Sequence, residues 1–391
     1  MIRTLPSLLK RLAHYGYLKD TSLSDADALS GDALTDVLHR IADNLIARRT
    51  APSWPEVHYQ TPCDAFNAHL ARFEGISLSA EEQSILHQLT FWGSEAYARL
   101  QPTLNKRRAA GFTVPALGIA ESDVCGDLAA VAAESLSHDQ LRVVNIIADR
   151  YLEVTGDYAM LRVLIYYIAY VCLHRALEVV DDPESRLAYL REAGWVAEFR
   201  VPYLLIGVGV YGSGKSDFTY SAMKELGGIR IRASVERARL LGKSLANAPD
   251  DFDDMTTTAT YRHMAHVTGL LLEAGYPVYI DGSCLTRQQR SLLRNEAEAR
   301  GLAVMIVSFE ADQKTLEARV RQSQIDIGRP VEDGLRVLRE QQSHFEPFDE
   351  EELFHLVHLD TAQPDANNTL VALIRENVRI PGTTIPAPSL A

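Results

Sequence analysis

The chain has 391 residues, 47% of them hydrophobic, which is enough to bury substantial cores, and its length favours two domains over one. A formal net charge of -13 excludes a protein that coats nucleic acid through bulk positive charge, leaving room only for a local basic groove. A specific small ligand fits this balance better. Four cysteines, Cys63, Cys125, Cys172 and Cys284, lack CxxC pairing and support neither a disulfide framework nor a zinc site, so they read as reduced, packed thiols.

At the N-terminus, "MIRTLPSLLKRLAHYGYL" carries basic residues and leucines, but its apolar stretches are too short and interrupted for a signal-peptide core. It reads as an amphipathic helix. Apolar residues then recur at helical spacing in "ALTDVLHRIADNLIA", "AEEQSILHQLTFWGSEAYARL", "QLRVVNIIADRYLEV" and "YAMLRVLIYYIAYVCLHRAL", with few stretches that read as strands. The first half is therefore predicted to be mostly helical. Its most apolar segment, "VLIYYIAYVCL" from Val163 to Leu173, falls short of the roughly 18 to 20 residues that span a bilayer and reads as a buried helix. No membrane contact and a cytoplasmic location are expected.

Near residue 200 the texture changes: "YLLIGVGV", "IRIRA", "PVYID", "AVMIVSF" and "HLVHLD" are short β-rich runs separated by segments long enough for crossover helices. That alternation predicts an α/β domain with a parallel sheet covered on both faces. The tail "IPGTTIPAPSLA" is rich in proline and small residues and reads as extended or loose. The expected organisation is a mostly helical domain at 1 to 198, a P-loop α/β domain at 199 to 375 and a Pro-rich tail at 376 to 391.

Gly209, Val210, Tyr211, Gly212, Ser213, Gly214, Lys215 and Ser216 satisfy G-x-x-x-x-G-K-[ST] directly after a predicted strand and before a predicted helix. This context makes the match specific. Glycines let the backbone curl around phosphates, amide N–H groups and the helix N-terminus supply positive potential, Lys215 reaches the β and γ phosphates, and the Ser216 hydroxyl can ligate Mg²⁺. Downstream, "YIDGSCL" ends an apolar strand at Asp281, a second candidate Mg²⁺ ligand whose bland reading is a strand-terminating cap. In "LEARVRQSQIDIGRP", Arg319, Arg321 and Arg329 suit a lid that neutralises a transferring phosphoryl group, with Arg319 and Arg329 the catalytic candidates. Taken singly, each reads equally well as a solvated helix charge.

Residues 200 to 365 resemble the small P-loop kinase domain related to zeta toxins and polynucleotide kinases, also described as an AAA-type ATPase domain, through "GVYGSGKS", "RIRASVERARL", "YIDGSCLTRQQR" and "VLREQQSHFEP". The first half resembles the helical C-lobe of an aminoglycoside-phosphotransferase-like domain through "NKRRAAGF", "SDVCGDLAAV" and "ADRYLEVTGDYAMLRVLIYYIAY". Two departures matter. The His-Gly-Asp-Leu-His catalytic loop of the phosphotransferase-like family is missing after "RRAAGF", and "CGDL" matches a later helix, which makes Asp127 structural. Residues 1 to 60 also lack the Gly-rich hairpin and strand lysine of a kinase N-lobe. This domain is expected to phosphorylate no aminoglycoside.

In the P-loop domain, the resemblance implies an acceptor-activating Asp after the second strand, and this chain has Ser234 there. Losing a general base costs about 10² to 10⁴ in rate, yet phosphoryl transfer draws most of its catalysis from positioning and charge neutralisation. Turnover can survive. Glu236 could substitute, although on a helix start it reads better as a partner of the helix dipole. The expected function is an ATP- and Mg²⁺-binding kinase acting on a hydroxyl of an unidentified small molecule or nucleic-acid end, or an NTPase without an acceptor. The alternative is a weakened, nucleotide-dependent switch or scaffold whose helical domain binds a protein partner.

Overall fold

A computed structural model describes residues 5–14, 17, 31–48, 58–136, 140–198, 202–243 and 254–378. The chain divides into two compact units, Met1–Phe199 and Arg200–Ala391. The Pro-rich tail predicted at 376 to 391 lies almost entirely outside the described residues.

The described part of the first unit is largely helical: α1 (Leu5–His14), α2 (Gly31–Arg48), α3 (Pro62–Ala71), α4 (Ala80–Ala109), α5 (Gly126–Leu136), α6 (Leu141–Thr155), α7 (Leu161–Glu178) and α8 (Pro183–Ala197). Side-chain caps start several of them. Thr61 with Asp64 and Ser79 with Glu82 form capping boxes on α3 and α4, and Gly156 in the left-handed conformation closes α6. The apolar run from Val163 to Leu173 forms the middle of α7, which packs against α3, α4, α5 and α8. Tyr158–Glu178 is long and apolar enough to cross a membrane by length and composition, but 83% of that window is buried inside the protein. Asp127, set aside as structural in the sequence, lies in the first turn of α5 and is buried.

Two ionic clusters stitch these helices together. Arg107 near the end of α4 donates to Asp123 at 2.6 and 3.0 Å and to Asp157 at 2.6 and 2.9 Å, with all three side chains nearly inaccessible. The paired carboxylates hold the Arg107 guanidinium charged despite its burial. Glu134 in α5, fully buried, takes ion pairs from Arg11 and Arg175 at 2.9 Å and a hydrogen bond from Tyr189 at 3.1 Å. A β-hairpin, β1 (Thr113–Ala116) and β2 (Ile119–Asp123), interrupts the helices where none was predicted.

The second unit is the predicted α/β domain. Strands β3 (Tyr203–Val208), β4 (Ile229–Arg232), β5 (Val278–Asp281), β6 (Ala303–Glu310) and β7 (Leu356–Asp360) form one parallel sheet in the order β4-β5-β3-β6-β7. Its helices are α9 (Lys215–Leu226), α10 (Ala233–Leu240), α11 (Asp254–Glu273), α12 (Arg287–Glu298), α13 (Gln313–Asp326), α14 (Val331–Ser343), α15 (Glu350–Leu353) and α16 (Ala366–Asn377). Every residue of β3 is buried, as expected of a central strand covered on both faces. Because β4 and β5 lie on one side of β3 and β6 and β7 on the other, the chain reverses direction around β3, and its carboxyl end becomes the crevice where such sheets take ligands.

Replacing Arg107 by Met leaves Asp123 and Asp157 buried without their cation, a loss that typically costs about 3–5 kcal/mol. Urea unfolding of the full chain should show destabilisation of that order; a change under about 1 kcal/mol would show that the carboxylates do not depend on Arg107.

Candidate functional site

The carboxyl end of β3 runs into the glycine-rich loop, and sterics explain its composition. A Cβ on Gly209 would lie 2.8 Å from the Phe309 carbonyl oxygen, and one on Gly212, where φ is +84°, would lie 2.8 Å from that of Leu316. Neither position admits a side chain. Gly214 caps α9, which begins at Lys215 and turns its N-terminus toward the loop. Tight backbone and a helix N-terminus together form a cradle of the kind that holds phosphate.

Lys215 lies under this loop, its Nζ donating to the Val210 carbonyl at 2.9 Å, with the Ser213 hydroxyl at 3.5 Å. Burial pulls its ammonium below the usual lysine range, and the Asp281 carboxylate opposes that shift. The Ser216 hydroxyl donates to Asp281 Oδ1 at 2.9 Å. Asp281 does not cap the next helix, since Thr286 caps α12. Its other oxygen accepts no hydrogen bond and lies 3.3 Å from Arg232 Nε and 3.8 Å from Arg230 Nη1. Two oxygens, one an under-used buried carboxylate, fit a hard cation such as Mg²⁺, which takes few protein ligands and completes its shell with phosphate and water. Among the described residues no group of three or more His, Cys, Asp or Glu could hold a metal on its own.

Lys215, Ser216 and Asp281 open onto a cavity of about 330 Å³. Ser234, Arg237, Thr257 and Tyr261 line it from α10 and α11, Ser283 and Gln289 from β5 onward, and Gln324, Arg329 and Gln341 from the region of α13 and α14. Among the described residues, Asp281 is the one acidic residue of the lining.

The arginines proposed from the sequence part company here. Arg329 lines the cavity. Arg319 does not: its guanidinium donates to Thr361 Oγ1 at 2.8 Å, to the Thr361 carbonyl at 2.9 Å and to the Gly212 carbonyl at 3.3 Å, so it braces the outside of the loop. Arg321 is exposed and also outside the lining. Ser234 is at the cavity, whereas Glu236 is fully buried against His263 at 3.1 Å and against Arg239, so it does not replace the missing base. Sequence reasoning passed over Arg230 and Arg232, although their alternation on β4 beside the strand of Asp281 was a usable signal. It also passed over Gln324 and Gln341, although Gln341 lies within the family-matching stretch "VLREQQSHFEP".

Residues 204–348 match the family model described as an AAA domain. No curated protein matches the chain. Among solved structures, the chain is similar to a sugar kinase from Janibacter sp. HTCC2649, at 19% identity over 46% of this chain and 96% of that one with a TM-score of 0.37. It is similar to a gluconokinase from Sinorhizobium meliloti 1021 at 22% identity, over 46% of this chain and 96% of that one, with a TM-score of 0.33. It is also similar to the Mycobacterium tuberculosis APS kinase solved with AMPPNP and APS, at 16% identity over 46% and 99% of the two chains and a TM-score of 0.34. Residues 204–348 thus combine a P-loop and a parallel sheet with a match to the AAA-domain family model.

Replacing Lys215 by Ala removes the one buried ammonium from the cradle and should weaken Mg-ATP binding at least about 100-fold without unfolding the chain. Equal ATP affinities of mutant and wild type in calorimetry, with unchanged circular dichroism, would contradict this.

Proposed function

We propose that the P-loop domain binds Mg-ATP at Gly209 to Ser216 and transfers the γ-phosphoryl group to a hydroxyl of a small molecule or nucleic-acid end seated in the adjoining cavity. The observation that carries this reading is the continuity of that cavity: one space touches Lys215, Ser216 and Asp281 on one side and the hydroxyl-bearing face of α10 and α11 on the other. A loop that merely held nucleotide would need no such room beyond Ser216 and Asp281.

In this reading the backbone amides and Lys215 hold the phosphates, and Ser216 with Asp281 would hold Mg²⁺, which supplies neutralisation of phosphate charge. Arg329, and not Arg319, is placed to face the transferring group. Arg230 and Arg232 orient Asp281 by their charge at 3.8 and 3.3 Å. Among the described residues Asp281 is the one carboxylate on the cavity, so in this reading the proton of the acceptor hydroxyl passes to a phosphate oxygen or to solvent. A loose transition state tolerates this, because bond breaking runs ahead of attack and the nucleophile needs little activation.

Ser234, exposed at the second residue of α10 and on the cavity wall, is where a base would act. Its shortness also favours the second reading, a nucleotide-operated switch without turnover. Three proteins separate the two: wild type, Asp281→Asn and Ser234→Asp, assayed for phosphate release and for radiolabel transfer from ATP. A kinase or NTPase should turn over slowly, lose at least about 100-fold in Asp281→Asn and gain about tenfold or more in Ser234→Asp. Confirmed ATP binding with no turnover in any of the three would leave only the switch.

A further inference from the structure

Tyr211, the third residue of the glycine-rich loop, is gripped at both ends. Its backbone N–H donates to Gln341 Oε1 at 2.6 Å, while its phenol oxygen meets Ser323 Oγ at 2.9 Å and accepts from Gln324 Nε2 at 3.0 Å. Both glutamines line the cavity although they are only 3% and 6% exposed, Gln324 and Gln341 respectively. The grip rests on packing: Leu316 and Val320 of α13 and Leu335 and Leu338 of α14 form one apolar cluster, and Val210 and Tyr211 pack against it. Gln341 follows Leu338 by one helical turn, so the helix pair that buries these leucines also sets the carboxamide on the loop.

The chemistry of that contact is unusual for a phosphate cradle. Amides of such a loop serve by donating to phosphate oxygens, and the Tyr211 amide is instead taken by a neutral carboxamide oxygen. Tyr211 is at the end of the loop that receives the outermost phosphate, because its neighbour Val210 is the residue whose carbonyl holds Lys215 Nζ. Gln341 Oε1 therefore occupies the place that a terminal phosphate oxygen would claim. A charged oxygen makes the stronger hydrogen bond and displaces it. Glutamine can then serve the incoming anion, since a turn of its broad terminal torsion exchanges Oε1 for Nε2, and a carboxamide carries two donors as well as an acceptor. Nothing in the described structure takes a hydrogen bond from Nε2. Glutamate in this place could only accept, and lysine only donate.

The geometry points to Gln341 as the residue that distinguishes a nucleoside triphosphate from a diphosphate: its oxygen closes the Tyr211 amide when the terminal phosphate is absent, and its amide binds that phosphate when present. This rests on the reading of Gly209 to Ser216 as a triphosphate site. Calorimetry with Mg-AMPPNP and Mg-ADP on the full chain tests it through Gln341→Glu, which keeps the acceptor for Tyr211 but sets a negative charge against the terminal phosphate. AMPPNP affinity should fall at least tenfold while ADP affinity stays within about threefold. In the wild type, the Gln341 side-chain N–H resonances, assigned by their loss in Gln341→Met, should shift with Mg-AMPPNP and not with Mg-ADP, a readout independent of whether the glutamate variant folds. An AMPPNP to ADP preference unchanged within twofold in Gln341→Glu, or resonances that move equally with both nucleotides, would overturn the assignment. If Lys215→Ala abolishes binding of both nucleotides while Gln341→Glu alters neither, the triphosphate site stands and the role of Gln341 falls. If the wild type binds neither nucleotide, both fall together.

Discussion

The register of β5 against β3 pairs Asp281 with Gly207, and that of β4 against β5 pairs Arg232 with Asp281. Everything at the site follows from this alignment. It ends β5 one step short of the glycine-rich loop, so that the carboxylate meets Ser216 on the first turn of α9, and it sets Arg232 and Arg230 close enough to balance the charge being buried. A slip of one residue would turn Asp281 to the other face of the sheet and leave two arginines without their anion. The register is in turn held by packing, because Leu204 to Ile206 and Val278 to Ile280 are buried on both faces and tolerate no polar neighbour. Arg230 is braced further by the Tyr220 ring, 4.8 Å from its guanidinium.

This alignment was only partly legible in the sequence. The five strands announced themselves as short β-branched runs, and the loop by its glycine, lysine and serine spacing, because in both cases the local residues carry the physics. The β1–β2 hairpin was not legible. Its turn, Leu117 and Gly118, needs positive φ at both residues, and leucine at φ +54° gives no such signal. A tertiary contact stabilises it instead, with Tyr170 of α7 donating to the Leu117 carbonyl at 2.9 Å. The arginines show the same limit. Arg319, Arg321 and Arg329 look alike in the sequence, and only the placement of Thr361 beside the loop decides that Arg319 turns outward.

The chain carries a net charge of -13, yet Lys215, Arg237 and Arg329 line a cavity with a single acidic side chain among the described residues. Positive charge gathered there cannot be explained by bulk composition. Burial disfavours the Lys215 ammonium, and an anion in the cradle would relieve that cost more fully than the Asp281 carboxylate does. A local field of this sign would favour an anionic ligand, and a compact phosphate ester over a long nucleic-acid backbone that the net charge repels.

The acidic residues near Ser234 complete the reasoning about the missing base. Glu236 is two positions away, but on a helix two residues point to different faces, and its charge is absorbed by His263 of α11 and by Arg239 of its own helix. Glu236 is fully buried while the Arg239 and His263 side chains are 28% and 33% exposed, so it is the carboxylate that depends on the pairs, which fix its role as structural. Asp281 is equally committed, to Ser216 on one oxygen and to the arginines near the other. With both of these carboxylates engaged, phosphoryl transfer in this cavity would rest on holding the phosphates and the acceptor in line within a fixed field.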